Sequence, residues 1–363
     1  MCARPGRFAF LQPKEFGLNL EDLGWDAFFA DAFEPYAADN LIPARVYARH
    51  HGPCELLTER GRMGGLPAGK LSDEELPAVG DWVAVRPVDG ERKAVIEAVL
   101  PRRTSFTRKE TLKRAVEQVV AANVDTVFVV TAFGFDLNPR RLERYLTAAW
   151  DSGATPVVVV NKCDVASDPE AELNEVEPVT LGVAVHSVSA VTGEGLESLD
   201  AYLEPGKTVA LLGSSGVGKS TLVNRLAERE VLETAETSAG GRGRHTTSHR
   251  ELVPLPSGAL LIDTPGMREL QLWAGEETLD TTFSEISDLA AECKFSDCSH
   301  DGEPGCAIRR ALGDGSLSDE RWSSYRKLQR EIRALEIRKD ARLRSEQRKK
   351  WAKFSKSRRK TVY

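Results

Sequence analysis

The sequence predicts a multidomain chain in which an N-terminal β-barrel precedes a central α/β domain and a C-terminal α-rich domain that binds a metal. Three observations predict it. The first third of the 363 residues holds short strand-like runs broken by glycine and proline. The middle alternates β-branched runs with amphipathic stretches, which is typical of a parallel sheet covered by helices. Near the end, three cysteines and a histidine fall within 14 residues.

The N-terminal third has four runs with strand character, Ala44–Arg49, Cys54–Arg60, Asp81–Pro87 and Lys93–Leu100. The glycines of Gly61–Gly65 indicate a hairpin turn. We therefore expect an OB-like barrel over residues 41–104, with a surface suited to RNA, although an SH3-like barrel would give the same pattern. Residues 1–40 show no clear period, and we treat them as an N-terminal extension.

The central domain is expected over residues 105–280. It follows a basic stretch, Pro101–Arg114, which we interpret as a linker. Asp125–Thr131 and Pro156–Val160 are predicted to be buried strands, and Pro139–Trp150 is predicted to be an amphipathic helix between them.

A phosphate-binding loop is predicted where a strand-like run, Thr208–Leu212, meets a helical one. The sequence there is GSSGVGKST, which has the G-x-x-x-x-G-K-[ST] spacing. Glycines let backbone N–H groups turn inward around a polyphosphate, and the helix N-terminus adds partial positive charge. Lys219 would reach the β- and γ-phosphates, and the Ser220 hydroxyl would bind Mg²⁺. The predicted nucleotide contacts are Gly213, Ser214, Ser215, Gly216, Val217, Gly218, Lys219, Ser220 and Thr221.

A guanine-reading segment precedes this loop. Asn161, Lys162 and Asp164 belong to an N-K-x-D sequence directly after the predicted strand PVVVV. The Asp164 carboxylate can accept two hydrogen bonds that guanine offers and adenine does not, Asn161 can reach N7, and the Lys162 stem can pack over the ring. The backbone of Ser189-Ala190 could meet guanine O6. GTP and GDP are therefore the predicted ligands.

A second magnesium-binding segment is Asp263-Thr264-Pro265-Gly266, which ends another predicted strand. Asp263 would hold a magnesium-bound water, and the Gly266 N–H would contact the γ-phosphate. Either Thr246 or Thr247 would complete the Mg²⁺ shell together with Ser220.

The order of these motifs is reversed relative to a common GTPase, since the guanine-reading segments come before the phosphate loop. The strands can still form the same sheet, because folding requires adjacency in space rather than order along the chain. The sequence therefore predicts a circularly permuted GTPase domain. In this order, the segment after Asp263 leads directly into the C-terminal domain.

The C-terminal domain, residues 281–335, contains Cys293, Cys298, His300 and Cys306. Three thiolates and one imidazole can close a tetrahedral site, so we expect one zinc ion that stabilises a segment with little apolar core. Unrelated thiols or a disulfide are the alternatives.

Charge is distributed unevenly: residues 321–363 hold 17 Lys and Arg against 4 Asp and Glu, whereas the whole chain carries −6. The basic tail, residues 336–363, favours a nucleic-acid partner, with a solvated cationic helix as the alternative. No apolar run approaches the roughly 18 residues of a membrane span, and the N-terminus lacks an apolar signal stretch. We therefore expect a cytoplasmic monomer with no membrane partner.

Together these motifs resemble the ribosome-small-subunit-dependent GTPase A family over roughly residues 40–335. The resemblance is carried by the permuted order, the Arg244-His245-Thr246-Thr247 loop and the Cys/His spacing. It implies a late maturation factor of the small ribosomal subunit that contacts ribosomal RNA and hydrolyses GTP when the subunit stimulates it. Because no Gln follows Gly266 until Gln271, the resemblance makes His245 the residue that acts on the attacking water. His245, Lys219 and Thr247 are the predicted catalytic residues.

Two other functions compete with this prediction. A P-loop kinase of small molecules is disfavoured because N-K-x-D specifies guanine and no acceptor-substrate pocket is evident. A zinc-stabilised RNA-binding protein whose GTP site is structural, with little turnover, stays open.

Overall fold

The computed structural model describes residues 19–49, 52–72, 75–109, 117–134, 136–180, 182–232, 250–263, 279, 282–295 and 297–339. The chain divides into two compact units, Met1–Gln271 and Leu272–Tyr363. The finer domain boundaries expected from the sequence stay a prediction. In the described part of the chain, no helix combines the length and the apolar character that a membrane crossing needs.

The first unit contains a closed five-stranded barrel. Its strands are β1 (Ile42–Arg49), β2 (Cys54–Thr58), β3 (Gly61–Pro67), β4 (Trp82–Pro87) and β5 (Lys93–Val99). They close in the order β1-β2-β3-β5-β4-β1, with β3 parallel to β5 and every other pair antiparallel. The predicted OB-like barrel is therefore confirmed. Its interior is filled by small and β-branched side chains such as Ala44, Val46 and Ile96.

The glycines of Gly61–Gly65 do not form the hairpin turn that the sequence suggested, because they belong to β3. The turn lies at Glu59–Arg60, before the strand. Of the three glycines, only Gly61 has a positive φ, +91°. A Cβ on Gly65 would lie 2.6 Å from Leu56 Cδ1, so this glycine makes room for the barrel interior.

A helix that the sequence did not reveal covers one face of the barrel. This helix, α1 (Ala27–Ala37), begins after Asp26, whose side chain accepts a hydrogen bond from the Phe28 N–H at 3.1 Å. Phe29 and Phe33 are buried against Trp82 of β4. Their i, i+4 spacing, which puts both rings on one helix face, was the available sequence signal.

A two-stranded ladder connects the barrel to the α/β domain. It consists of β6 (Ser105–Lys109) and β7 (Glu117–Ala122), which pair antiparallel. The interpretation of Pro101–Arg114 as a linker was thus wrong for residues 105–109. Phe106 explains the strand, because its buried side chain packs with Val120 in the core of the domain.

The α/β domain has a six-stranded sheet in the order β10-β9-β8-β11-β13-β12. All strands are parallel except β12, which is antiparallel to β13. The strands are β8 (Thr126–Ala132), β9 (Thr155–Asn161), β10 (Ala184–Ser187), β11 (Thr208–Leu212), β12 (Arg250–Pro254) and β13 (Leu260–Asp263). Among the described residues of this domain, the α-helices are α2 (Pro139–Asp151), α3 (Pro169–Val176) and α4 (Lys219–Leu226). Two apolar clusters, one containing Leu142 of α2 and the other Leu222 of α4, bury the sheet.

Barrel and sheet are continuous, because β1 pairs antiparallel with β12 through Ala48–Glu251 and Arg49–Arg250. The second unit contains α5 (Ser284–Ala291), α6 (Ala307–Asp314) and α7 (Asp319–Lys339). The Ser318 side chain caps α7, since its hydroxyl accepts the Arg321 N–H at 3.1 Å.

Candidate functional site

The predicted nucleotide-binding segments lie at one edge of the parallel sheet, where the carboxyl ends of its strands meet. The phosphate loop follows β11, and two of its glycines are required by their neighbours. At Gly213 (φ +149°), a Cβ would lie 2.1 Å from the Val130 carbonyl oxygen of β8. At Gly218 (φ +94°), it would lie 2.3 Å from Nδ2 of Asn161. Any side chain at either position would push these segments apart.

The lysine of the loop is folded back onto it. Lys219 Nζ donates a hydrogen bond to the Gly213 carbonyl at 2.7 Å and another to the Ser214 carbonyl. Ser220 is half-buried in the first turn of α4. The lysine ammonium and the helix N-terminus therefore make the loop electropositive, as an anion site requires.

Asn161 connects the phosphate loop to the other guanine-reading segment. Its side chain is 3% exposed. Nδ2 donates to the Val217 carbonyl at 2.8 Å, and Oδ1 accepts the Ala190 N–H at 2.9 Å. The sequence predicted that the Asn161 amide and the Ala190 N–H contact guanine. In the structure these two groups are hydrogen-bonded to each other. The structure gives Asn161 a bridging position.

The other residues predicted to read guanine lie close to Asn161 and Ala190 in the chain. Lys162 has a left-handed backbone (φ +69°), and its Nζ donates to the Gly216 carbonyl at 2.8 Å. The Asp164 side chain is exposed, and its carboxylate accepts no hydrogen bond from the residues that the structure describes. The Ser189 N–H donates to the Glu194 carbonyl at 2.9 Å. Asp164 is therefore available to an incoming base.

Several predicted residues lie outside the described residues: His245, Thr246, Thr247 and Gly266. Asp263 is the last residue of β13, which runs parallel to β11. Its backbone therefore ends at the same edge of the sheet as the phosphate loop.

Sequence reasoning missed a polar group on the other side of the phosphate loop. The Ser214 hydroxyl lies 3.0 and 3.1 Å from the two carboxylate oxygens of Asp136, and 2.9 Å from Nη1 of Arg141. Asp136 belongs to the loop after β8, and Arg141 belongs to the first turn of α2. No known motif joins these positions, so only the fold reveals the contact.

The second unit holds the predicted metal ligands together. The ligand atoms of Cys293, Cys298, His300 and Cys306 all lie within 4.8 Å of one another. Nδ1 of His300 is 3.6 Å from Cys293 Sγ and 3.5 Å from Cys306 Sγ, and these two sulfurs are 3.9 Å apart. Zn–S and Zn–N bonds of about 2.3 and 2.0 Å at tetrahedral angles give edges of roughly 3.8 and 3.5 Å. The residues therefore fit a tetrahedral ion.

The disulfide alternative fails at this cluster, because a disulfide brings the sulfurs to about 2.05 Å, and Cys293, Cys298 and Cys306 are free thiols. Burial alone would raise the pKa of the Cys293 thiol, but N–H groups of Ala307 and Ile308 stabilise the thiolate and lower that pKa overall. The Ala307 N–H lies 3.3 Å from Sγ. The start of α6 thus favours the metal-binding form of Cys293.

The loop that carries His300 is organised from two sides. The Glu303 carboxylate accepts the N–H groups of Ser299, Asp301 and Gly302, each at 3.1 Å. A hydrogen bond from the Ser299 hydroxyl, followed by backbone N–H groups that include those of Gly302 and Ser299, lowers the pKa of Glu303 to about 2. From α7, the Trp322 ring meets the His300 ring edge-on, with centroids 5.8 Å apart. Contacts of this kind, made to a metal ligand or to its loop, fix the orientation of the ligand.

Comparison with known proteins agrees with this arrangement. A family model described as RsgA GTPase matches residues 99–273. A relative from Opitutus terrae named Small ribosomal subunit biogenesis GTPase RsgA is 50% identical over 352 residues, covering 93% of this chain and 96% of that protein. A relative of the same name from Streptomyces coelicolor is 44% identical, covering 92% of both chains.

Two solved structures share the architecture. The crystal structure of YjeQ from Thermotoga maritima matches with a TM-score of 0.61 at 29% identity, covering 80% of this chain and 98% of that one. The crystal structure of YloQ, described as a circularly permuted GTPase, matches with a TM-score of 0.60 at 22% identity, covering 81% of this chain and 96% of that one. The second likeness supports the fold alone.

Proposed function

The chain belongs to the RsgA GTPase family, and from that membership we propose that it hydrolyses GTP as a biogenesis factor of the small ribosomal subunit. The observation that supports this best is the Asn161 bridge, which joins the phosphate loop to Ala190. A chance N-K-x-D sequence would have no reason to make these bonds. In a nucleotide site they would hold the base-reading segments beside the phosphate loop.

In the proposed site, Lys219 and the loop backbone bind the phosphates of GTP, and Asp164 reads the guanine edge. Ser220, Asp263 and either Thr246 or Thr247 would hold Mg²⁺, which would neutralise charge on the β- and γ-phosphates. His245 would orient the attacking water, since the chain has no Gln close to Gly266. Support for these roles comes from the motif positions and from the geometry of the loop.

We further propose that the metal in the second unit is zinc, one per chain. Thiolate and imidazole donors at tetrahedral distances suit zinc better than Mg²⁺ or Ca²⁺, which prefer oxygen ligands. The ion would hold α5 and α6 together through residues at their ends.

The proposed partner is the small ribosomal subunit through its RNA, as the names of the relatives suggest. An OB-like barrel and a basic tail are both suited to RNA. The tail, residues 336–363, lies largely outside the described residues. A protein with this partner works in the cytoplasm, and we propose that it acts as a monomer.

The test is GTP turnover by the full chain with and without purified small ribosomal subunits. We expect stimulation by the subunits. We also expect His245→Ala to retain GTP binding while losing most of the stimulated rate, roughly 100-fold or more, because water orientation matters only in the transition state.

Lys219→Ala is the matched control, since it should weaken nucleotide binding as well as turnover. Equal turnover with and without subunits would instead favour the RNA-binding protein with a structural GTP site. A stimulated rate that His245→Ala leaves unchanged would remove His245 from the mechanism.

A further inference from the structure

The loop between β8 and α2 contacts the phosphate loop through one hydroxyl. Ser214 can donate its single O–H to the Asp136 carboxylate, at 3.0 or 3.1 Å, and can accept the Arg141 N–H at 2.9 Å. Arg141 also pairs directly with Asp136. Each of the three side chains is therefore hydrogen-bonded to the other two.

Both charged residues are held in place independently of the nucleotide site. The hydroxyl of Thr131, at the end of β8, donates to the Asp136 carbonyl at 2.9 Å. The Asn138 side chain caps α2 by accepting the Arg141 N–H at 3.1 Å. Behind this first turn, Leu142 is 1% exposed in the core. Asp136 and Arg141 are thus presented by a fixed scaffold to Ser214.

The position of Ser214 matters to the nucleotide because its carbonyl accepts a hydrogen bond from Lys219. Ser214, which Asp136 binds through the hydroxyl, is therefore also one of the two residues whose carbonyls hold the Lys219 ammonium. The negative charge of the Asp136 carboxylate weakens nucleotide binding, because it repels the phosphates. That repulsion is strong where water is partly excluded, and the side chain of Asp136 is 23% exposed.

We propose that Asp136 and Arg141 are positioning residues of the nucleotide site, with Asp136 fixing Ser214 and Arg141 cancelling the negative charge of Asp136 against the nucleotide phosphates. This inference rests on the proposed GTP site and adds two residues to it. Because GTP carries more negative charge than GDP, the compensation by Arg141 favours GTP more than GDP.

The experiment measures the affinities of fluorescent GTP and GDP analogues for the full chain. We expect Arg141→Ala to weaken GTP binding roughly tenfold and GDP binding less, because an uncompensated carboxylate then faces the phosphates. Adding Asp136→Asn to Arg141→Ala should restore the GTP-to-GDP affinity ratio, since asparagine keeps an acceptor for Ser214 without the charge. Arg140→Ala is the matched control, because Arg140 is exposed on the same helical turn.

A purely structural role would give a different pattern. The double variant would then be weaker than Arg141→Ala, and both nucleotides would lose affinity equally; either result would overturn the inference. Loss of affinity in Arg140→Ala equal to that in Arg141→Ala would overturn it as well. If the unmodified chain bound neither nucleotide, the proposed function itself would fail, which distinguishes the two failures.

Discussion

The side-chain amide of Asn161 donates one hydrogen bond and accepts another, and the two bonds reach different segments of the nucleotide site. Asparagine and glutamine carry both roles on one planar amide that does not ionise. Asparagine is short enough to stay at the end of β9, where the side chain is buried. The need for asparagine at position 161 is therefore explained by its hydrogen bonds to Val217 and Ala190 as well as by the guanine base that it is expected to contact.

We expect Asn161→Asp to weaken both folding and GTP binding. The change replaces the donor that faces the Val217 carbonyl with a second acceptor, and it buries a charge. Stability should fall by about 1–3 kcal/mol, and GTP affinity should fall at least roughly tenfold. Thermal melting and nucleotide titration measure the two effects.

Asn138→Asp is the matched control for this prediction. Asn138 only accepts a hydrogen bond at its helix cap, where aspartate serves as well as asparagine. Equal losses in the two variants would show that the donor of Asn161 is irrelevant.

At the level of elements, the buried side chain of Arg45 connects β1 to three other segments of the first unit. From β1 of the barrel, Arg45 donates to the Leu23 carbonyl before α1, to the Asn123 carbonyl after β7 at 3.2 Å, and to the Thr208 hydroxyl at 3.1 Å. Thr208 is the first residue of β11, the strand that ends at the phosphate loop. Burial lowers the pKa of Arg45 to about 10, opposed by Asp125 and Asp81. The guanidinium is therefore still charged at neutral pH.

We expect Arg45→Met to destabilise the first unit by about 3 kcal/mol, because it leaves several buried acceptors without a donor. Methionine keeps much of the volume, so the loss reports the hydrogen bonds rather than a cavity. Urea unfolding followed by tryptophan fluorescence measures it. Arg62→Met, a half-exposed arginine of the same barrel, should change stability by less than about 0.5 kcal/mol. A similar effect from both changes would contradict the linking role.

The elements that the sequence predicted correctly are those whose pattern is local. The strand before the phosphate loop and the strand PVVVV were evident as continuous apolar runs, and helix α2 was evident because its apolar residues repeat with the helical period. By contrast, α1 and β6 depend on long-range packing: Phe29 is buried in a cluster that includes Trp82 of the barrel, and Phe106 is buried in the core cluster of the α/β domain. The sequence pattern of both segments predicted no regular structure, but tertiary contacts stabilise a helix in one and a strand in the other.

The candidate site also has residues that could be predicted from the sequence and residues that could not. Glycines and lysine of the phosphate loop could be predicted because one short sequence carries the whole geometry. The contact of Asp136 and Arg141 with Ser214 spans more than 70 residues, and no spacing rule joins such positions. The bridging role of Asn161 was hidden for the same reason, since its partners lie in two other motifs.

For the molecule as a whole, the permuted motif order is compatible with a GTPase sheet because the motif-bearing strands are parallel neighbours. β9 and β11 both pair with β8, and β13 pairs with β11 on its other side. The same sheet continues into the barrel through β1 and β12. Strand β12 directly follows the stretch that contains His245, so the barrel is hydrogen-bonded to the strand that leaves the proposed catalytic segment. Barrel and nucleotide site are thus parts of one continuous β-structure.

The second unit has a smaller apolar core than the first. Its buried side chains include Phe283, Ile286, Ile308 and Ile332, and the proposed zinc ligands join the end of α5 to the start of α6. Because a small core rarely suffices without a metal or another cross-link, we expect removal of zinc to unfold this unit. The first unit has its own core and should continue to bind GTP.

Cys298→Ala should therefore reduce bound zinc from one per chain to near zero and should lower the helical signal in circular dichroism, while GTP affinity changes less than about twofold. Cys54→Ala is the matched control, because Cys54 is a free cysteine of barrel strand β2 in the first unit, and the zinc content of this variant should be unchanged. Zinc content is measured by metal analysis, and helix content is measured by circular dichroism on the same samples. Full zinc loading in Cys298→Ala would remove that residue from the ligand set. A loss of GTP affinity that accompanied the loss of zinc would show that the two units do not fold independently.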